Sequence, residues 1–269
     1  MGSRNVKPVP KDGVLYSKSR ISLRPFDLLL FSGGEFVSKF IKHIEAEKLE
    51  RITGNPVEPG AFSHVGMVVT SEILDHELVV PGKIYIWEST MGGKLGDGIP
   101  NIEGKTFFGV QLRDFDAVVP VYDLSNDTRI ATARLIANPL DVCSELEIKT
   151  KFTKIFNKYN GVMYDVNLMN EFGALFDGCR KIRDGIENII GNDSWLFCSE
   201  HVATVYVDMG IFPRTVIPEN VVPMDFVGYE NDSIRKGGAP LVVSLPPTYM
   251  VSDVHAKDTS GTNAVHFGI

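Results

Sequence analysis

The chain has 269 residues, 43% hydrophobic and 23% charged, the proportions of an average globular protein with a sizeable core and no global disorder. A net charge of −7 argues against a dedicated nucleic-acid binder, which needs a basic face to neutralise phosphates. Three cysteines (Cys143, Cys179, Cys198) without a C-x-x-C pair argue against a disulfide framework and a cysteine zinc site; free thiols fit a reducing, cytoplasmic or otherwise intracellular setting.

Residues 1–20 are polar, lack the apolar core of a signal peptide and read as a mobile arm. Gly2 has only part of a myristoylation pattern, because Val6 stands where Ser or Thr is required. "FDLLLFSGG" (26–34) predicts a buried strand and a turn. Helical spacing of Phe36, Val37, Phe40, Ile41 and Ile44 predicts a helix ended by Gly54. "SHVGMVVT" (63–70) and "KIYIWEST" (83–90) read as strands, with a turn at Pro81-Gly82 between them. Residues 91–106 form a Gly-rich loop. "FFGVQLRDF" and "AVVPVYDL" supply two further strand candidates.

"NDTRIATARLIANPL" and "SELEIKTKFTKIFNKY" look helical, with breaks near Pro139 and Asn160; "NLMNEFGALFDGCRKIRDGIENIIG" is ambiguous. No apolar run approaches the ~20 residues of a membrane span. The order of elements, a helix, clustered strands and then helices, predicts an α+β fold. One domain spans 21–245, with an elaboration within 91–190, between the N-terminal arm and a flexible tail at 246–269.

"WLFCSEHVATVYVDMG" (195–210) places a thiol where an apolar run meets a helix. Apolar residues recur at Val202, Val205, Tyr206 and Met209, and Gly210 suits a C-terminal cap. Cys198 then sits in or just before the first turn, where unpaired amides and the helix dipole favour a thiolate. Thiol chemistry also needs a base, usually a histidine oriented by a third group. His64 opens an apolar strand with small Gly66 on the same face, and Glu88 ends the run of the next strand candidate. His201 shares the helix with the thiol and is poorly placed to reach the sulfur. Singly, each residue has an ordinary structural explanation, a lone cysteine being most often an inert small hydrophobe. The combination is more specific than its members.

"FSHVGMVV", "IYIWEST" and "LFCSEHVATVY", in that order, resemble the circularly permuted branch of the NlpC-type papain-like superfamily, most closely its YiiX-like group. That group includes a poxvirus member and is distantly similar to lecithin:retinol acyltransferase. "RPFDLLLFSG" resembles the family's Pro-Gly-Asp-Leu-Leu segment with Phe26 in place of Gly; "GVMYD" (161–165) and "VVPMDF" resemble a Gly-x-x-Tyr-Asp element and a late Pro-x-Asp segment. The likeness covers about residues 21–227. It implies a permuted papain-like fold, an antiparallel sheet packed on helices with the nucleophile at a helix N-terminus. It also implies Cys198 as nucleophile, His64 as base and Glu88 as orienting residue.

The expected activity is that of a cysteine hydrolase cleaving a peptide or isopeptide amide, with no metal and no cofactor. Tyr164 and Ser199 are candidates for meeting the oxyanion or positioning substrate. Alternatives are a thiol acyltransferase or lipase acting on lipid acyl groups, and a non-catalytic binding protein on the same shell. Partners are a peptide or acyl-bearing substrate and no nucleic acid. A peripheral membrane contact through "NEFGALFDG" has no electrostatic help from an acidic chain. The poxvirus likeness raises a viral origin and, with it, association with a virion.

Overall fold

The computed structural model describes residues 13–32, 62–90, 98–106, 108–122, 129–163, 198–218, 221–226 and 247–251. Strands are β1 (Val14–Leu15), β2 (Leu28–Ser32), β3 (His64–Val69), β4 (Tyr85–Thr90), β5 (Gly109–Asp114), β6 (Arg129–Ala133) and β7 (Thr248–Val251). Helices are α1 (Tyr16–Ser22), α2 (Phe115–Val118), α3 (Glu145–Tyr159) and α4 (Cys198–Met209). The strands form one sheet in the order β1-β7-β6-β2-β3-β4-β5. Every pairing is antiparallel except the short parallel contact of β1 with β7. Among the described residues, no helix is long and apolar enough to cross a membrane.

Alternation along each strand divides the sheet into two faces. Register places Leu29, Phe31, His64, Gly66, Val68, Ile86, Glu88, Gln111, Arg113 and Ile130 on the first face. There the apolar members pack with Phe115, Val118 and Val119 of α2 and the turn after it. Leu28, Leu30, Val65, Met67, Trp87, Leu112 and Ala131 point to the second face, covered by α3 and α4. This second core is the larger. Its aromatic centre includes Phe152 and Phe156 around Trp87, with ring centroids 5.4 and 5.1 Å away.

Helix α3 starts at a capping box, in which Ser144 Oγ accepts from the Glu147 amide and Glu147 accepts from the Ser144 amide. Ile148, Phe152, Ile155 and Phe156 recur at helical spacing and supply its buried face. Helix α4 buries Val202, Val205, Tyr206 and Met209 as their periodicity predicts. It ends at Gly210 with φ +83°, and the Ile211 and Phe212 amides donate to the Tyr206 carbonyl.

Four expectations are corrected. "NDTRIATARLIANPL" contributes strand β6 rather than a helix, because Ile130 and Ala131 face opposite cores and the segment pairs with β2 and β7. "AVVPVYDL" is not a strand in its described part. Asp114 accepts from the Asp116 amide and starts α2, and Pro120 lies in the following 3-10 turn. Val14–Leu15 of the 1–20 arm pairs with β7, and Tyr16–Ser22, which begins in the arm, is held by the partly exposed ion pair of Arg20 with Asp116 (2.6 Å). Within the 246–269 tail, Thr248–Val251 joins the sheet between β1 and β6. The expected helix after Phe36, the ambiguous 167–191 segment and Cys179 lie outside the described residues.

Phe26 leads into β2 with φ +71°, a left-handed conformation that favours glycine. The strain is worth about 1–2 kcal/mol. Complete burial of a phenylalanine side chain contributes about 1.5–3 kcal/mol, so packing outweighs strain. Phe26 meets Phe152 edge-on at 5.5 Å, and its carbonyl accepts from the buried Tyr206 hydroxyl at 2.6 Å. The entry to the sheet is thereby tied to both covering helices.

Candidate active site

His64 is the first residue of β3 and Cys198 the first of α4. Strand and helix belong to different layers, and the two side chains meet where β3 begins. The Cys198 sulfur lies close enough to His64 to act on the charge of its imidazole. Cys198 is 3% exposed. The imidazole is 17% exposed, so the ring is screened but reachable from solvent.

Glu88 stands on β4 directly across from Gly66, two residues along β3 from His64, on the same face. Its Oε2 lies 2.5 Å from His64 Nε2. Because Nε2 is engaged by the carboxylate, Nδ1 is the ring nitrogen left for the thiol. Gly66 makes the approach feasible. A Cβ there would stand 2.6 Å from the Ile86 side chain and 3.1 Å from Glu88 Cβ. Phe31, paired with His64 on β2, lies against the other side of the ring with centroids 5.3 Å apart.

The sequence reading missed Arg113. It projects from β5 on the same face and is fully buried. Its Nε and Nη2 both reach Glu88 Oε1, at 2.8 and 2.5 Å. An available signal was an arginine inside the apolar run of "FFGVQLRDF", at a position that alternation aligns with Glu88 once β4 and β5 pair.

These contacts decide the protonation states. Burial alone would push Glu88 up, since it penalises the anion. The Arg113 charge and the bonds from His64 and Arg113 reverse that and hold Glu88 down at about 2. Burial alone would push His64 down. The Cys198 sulfur, through charge and hydrogen bond, and then Glu88 reverse it and raise His64 to about 10. An imidazolium held between a sulfur and a carboxylate places a proton donor beside a thiol.

His201 lies three residues along α4 from Cys198, on the second face of the sheet. It meets Trp87 edge-on with centroids 4.5 Å apart and is fully buried. Neither ring nitrogen has a hydrogen-bond partner. Burial lowers its pKa to about 3, only weakly opposed by Glu88. His201 therefore stays neutral and has no contact that would make it the base. Ser199 is buried on α4, with 6% exposure, and Tyr164 lies outside the described residues. His43, His255, His266 and Cys179 also lie outside them; Cys143 is exposed. Among the described residues, no group of three or more His, Cys, Asp or Glu is arranged to hold a metal ion.

No family model matches the chain, and no curated protein matches it.

Proposed function

We propose that the protein is a cysteine hydrolase with a circularly permuted papain-like fold, cleaving a peptide or isopeptide amide through Cys198, His64 and Glu88. The observation that carries this reading is the His64 imidazole, set between the Cys198 sulfur at the start of α4 and the buried carboxylate of Glu88. Two further features support it. Phe26 adopts a left-handed conformation at the position where the resembling family has glycine. The sheet also buries an Arg113–Glu88 ion pair, and such pairs are a poor source of net stability compared with apolar side chains of similar volume. Chemistry at His64 gives that pair a purpose that packing does not. The same point weighs against a non-catalytic binding shell.

In the proposed reaction, the Cys198 thiolate attacks the acyl carbon and the carbonyl electrons move to oxygen. In this reading the oxyanion is met by the backbone amide of Cys198, at the start of α4. As the tetrahedral intermediate collapses, the carbon–nitrogen bond breaks and the His64 imidazolium protonates the departing amine. His64, now neutral, takes a proton from water, whose oxygen attacks the thioester; the carbon–sulfur bond then breaks, which releases the acid and restores the Cys198 thiolate beside the imidazolium. Glu88 keeps the ring oriented and stabilises the imidazolium each time it forms.

Incubation of wild type and Cys198→Ala with peptide libraries and with phospholipid mixtures tests the reading. Cys198-dependent cleavage of peptides or isopeptides is the expected result. Cys198-dependent release of fatty acid without peptide turnover replaces the amide substrate with a lipid ester. No turnover of either class overturns the hydrolase reading in favour of a binding protein.

A further inference from the structure

We propose that Arg113 is the positioning residue of this site, a buried guanidinium that pins one oxygen of Glu88 so that the other is presented to His64. The proposal rests on the reading of His64 as base and adds the device that makes it one. Register places Gln111 directly across from Glu88 and Arg113 across from Ile86, so the guanidinium arrives along the diagonal on the shared face. Its contacts to Glu88, Nε at 2.8 Å and Nη2 at 2.5 Å, both fall on Oε1. Oε2 is left to His64 Nε2. Carboxylate and guanidinium are each 1% exposed, so water does little to compete for either.

The carboxylate cannot be moved without breaking one of these bonds. Turning it toward His64 would release Arg113, and turning it toward Arg113 would release the imidazole. The charged and titratable groups surrounding it are His64 from β3, Arg113 from β5, and Cys198 and His201 from α4. His201 is neutral at ordinary pH, and Cys198 acts on His64 rather than on Glu88. Arg113 is thus the fixed positive charge of the group. Without it a fully buried carboxylate faces the desolvation penalty with only the imidazole to offset it, and takes up a proton more readily. A neutral acid orients the ring poorly and no longer stabilises an imidazolium.

The side-chain nitrogen resonances of His64, followed by NMR against pH in the whole chain, test the proposal without any substrate. In Arg113→Met, the His64 titration is expected to fall by at least about one pH unit, a tenfold loss of proton affinity. Arg113→Lys should recover part of the shift through charge alone, and His201 should remain neutral in both. Should Arg113→Met fail to fold, Glu88→Gln/Arg113→Met removes both charges together. Its His64 should titrate as in Glu88→Gln alone, because the arginine acts only through the carboxylate. An unchanged His64 titration in Arg113→Met, or a further fall on adding Arg113→Met to Glu88→Gln, overturns the proposal. Where peptide turnover is measurable, Arg113→Met is expected to lower kcat with little change in KM and to move the alkaline limb of the profile down. An absence of turnover in wild type bears on the hydrolase reading, while the titration still decides the role of Arg113.

Discussion

Trp87 and Glu88 are neighbours on one strand, and each meets a histidine. Alternation sends Trp87 to the helix-covered face and Glu88 to the other, so the two imidazoles sit on opposite sides of the same stretch of β4. His201, buried against an indole, is pushed down to about 3; His64, between a sulfur and a carboxylate, is raised to about 10. Burial is common to both rings. The difference comes from whether an opposite charge accompanies the ring out of water. A histidine is made into a charged group or into a piece of core by its partner, and here the choice depends on which face of the sheet it meets.

The largest expected contrast is catalytic. His64→Ala should reduce Cys198-dependent turnover by about 10²–10⁴-fold, the usual contribution of a positioned acid–base group. His201→Leu should stay within a few-fold of wild type. Equal losses in the two variants, read from kcat/KM on whichever substrate shows Cys198-dependent turnover, would erase the distinction.

Glu88→Gln removes the partner that separates the two rings. His64 should then titrate closer to the ordinary imidazole value of about 6.5, and turnover should fade on the alkaline side at lower pH. The buried Arg113 would lose its ion pair with Glu88, so stability should fall by about 3–5 kcal/mol. Chemical denaturation and histidine NMR measure the two effects separately. A variant with full stability and an unmoved His64 would show that the carboxylate sets neither.

A smaller steric change sharpens the same point. Gly66→Ala would place a methyl 2.6 Å from the Ile86 side chain and 3.1 Å from Glu88 Cβ. The crowding should cost about 1–3 kcal/mol and push Glu88 away from His64. The expected signature is a lowered His64 titration with His201 unaffected, again by NMR.

The weakest effect is a pH slope. His201 binds a proton in the unfolded chain below about 6.5 but resists it in the fold until about pH 3. The unfolded state then holds more protons, so this contribution is present above pH 6.5 and is lost as pH falls toward 3. Glu88 adds a loss over a lower window, from about 4.5 to 2. His64 has the opposite sign: its contribution is complete below about 6.5 and is lost as pH rises through about 10. Denaturation midpoints of His201→Leu should therefore depend less on pH between 6.5 and 3 than those of wild type. At neutral pH the variant should match or modestly exceed wild type, because two unpartnered buried nitrogens are removed. A steeper acid slope in the variant would assign His201 the wrong protonation state.

Much of this arrangement is written in local patterns. Apolar, β-branched runs in "SHVGMVVT" and "KIYIWEST" mark two strands, and the spacing of Val202, Val205, Tyr206 and Met209 marks the helix that Cys198 begins. Residue type and order along the chain were enough to select Cys198, His64 and Glu88, and small Gly66 on the His64 face was visible for the same reason. These signals are short-range: they depend on side-chain periodicity, which a few residues express on their own.

What the tertiary structure decided is which elements lie side by side. The helix-like composition of "NDTRIATARLIANPL" was overridden because Arg129–Ala133 fills the place between β2 and β7, where backbone pairing and burial on both faces outweigh weak local preference. Thr248–Val251 joined the sheet through strands more than a hundred residues away in the chain. Arg113 belongs to the same category. Its type was plain in the sequence, but its partner was set by the pairing of β5 with β4, and a charge acquires its meaning inside a protein from the groups that follow it out of water.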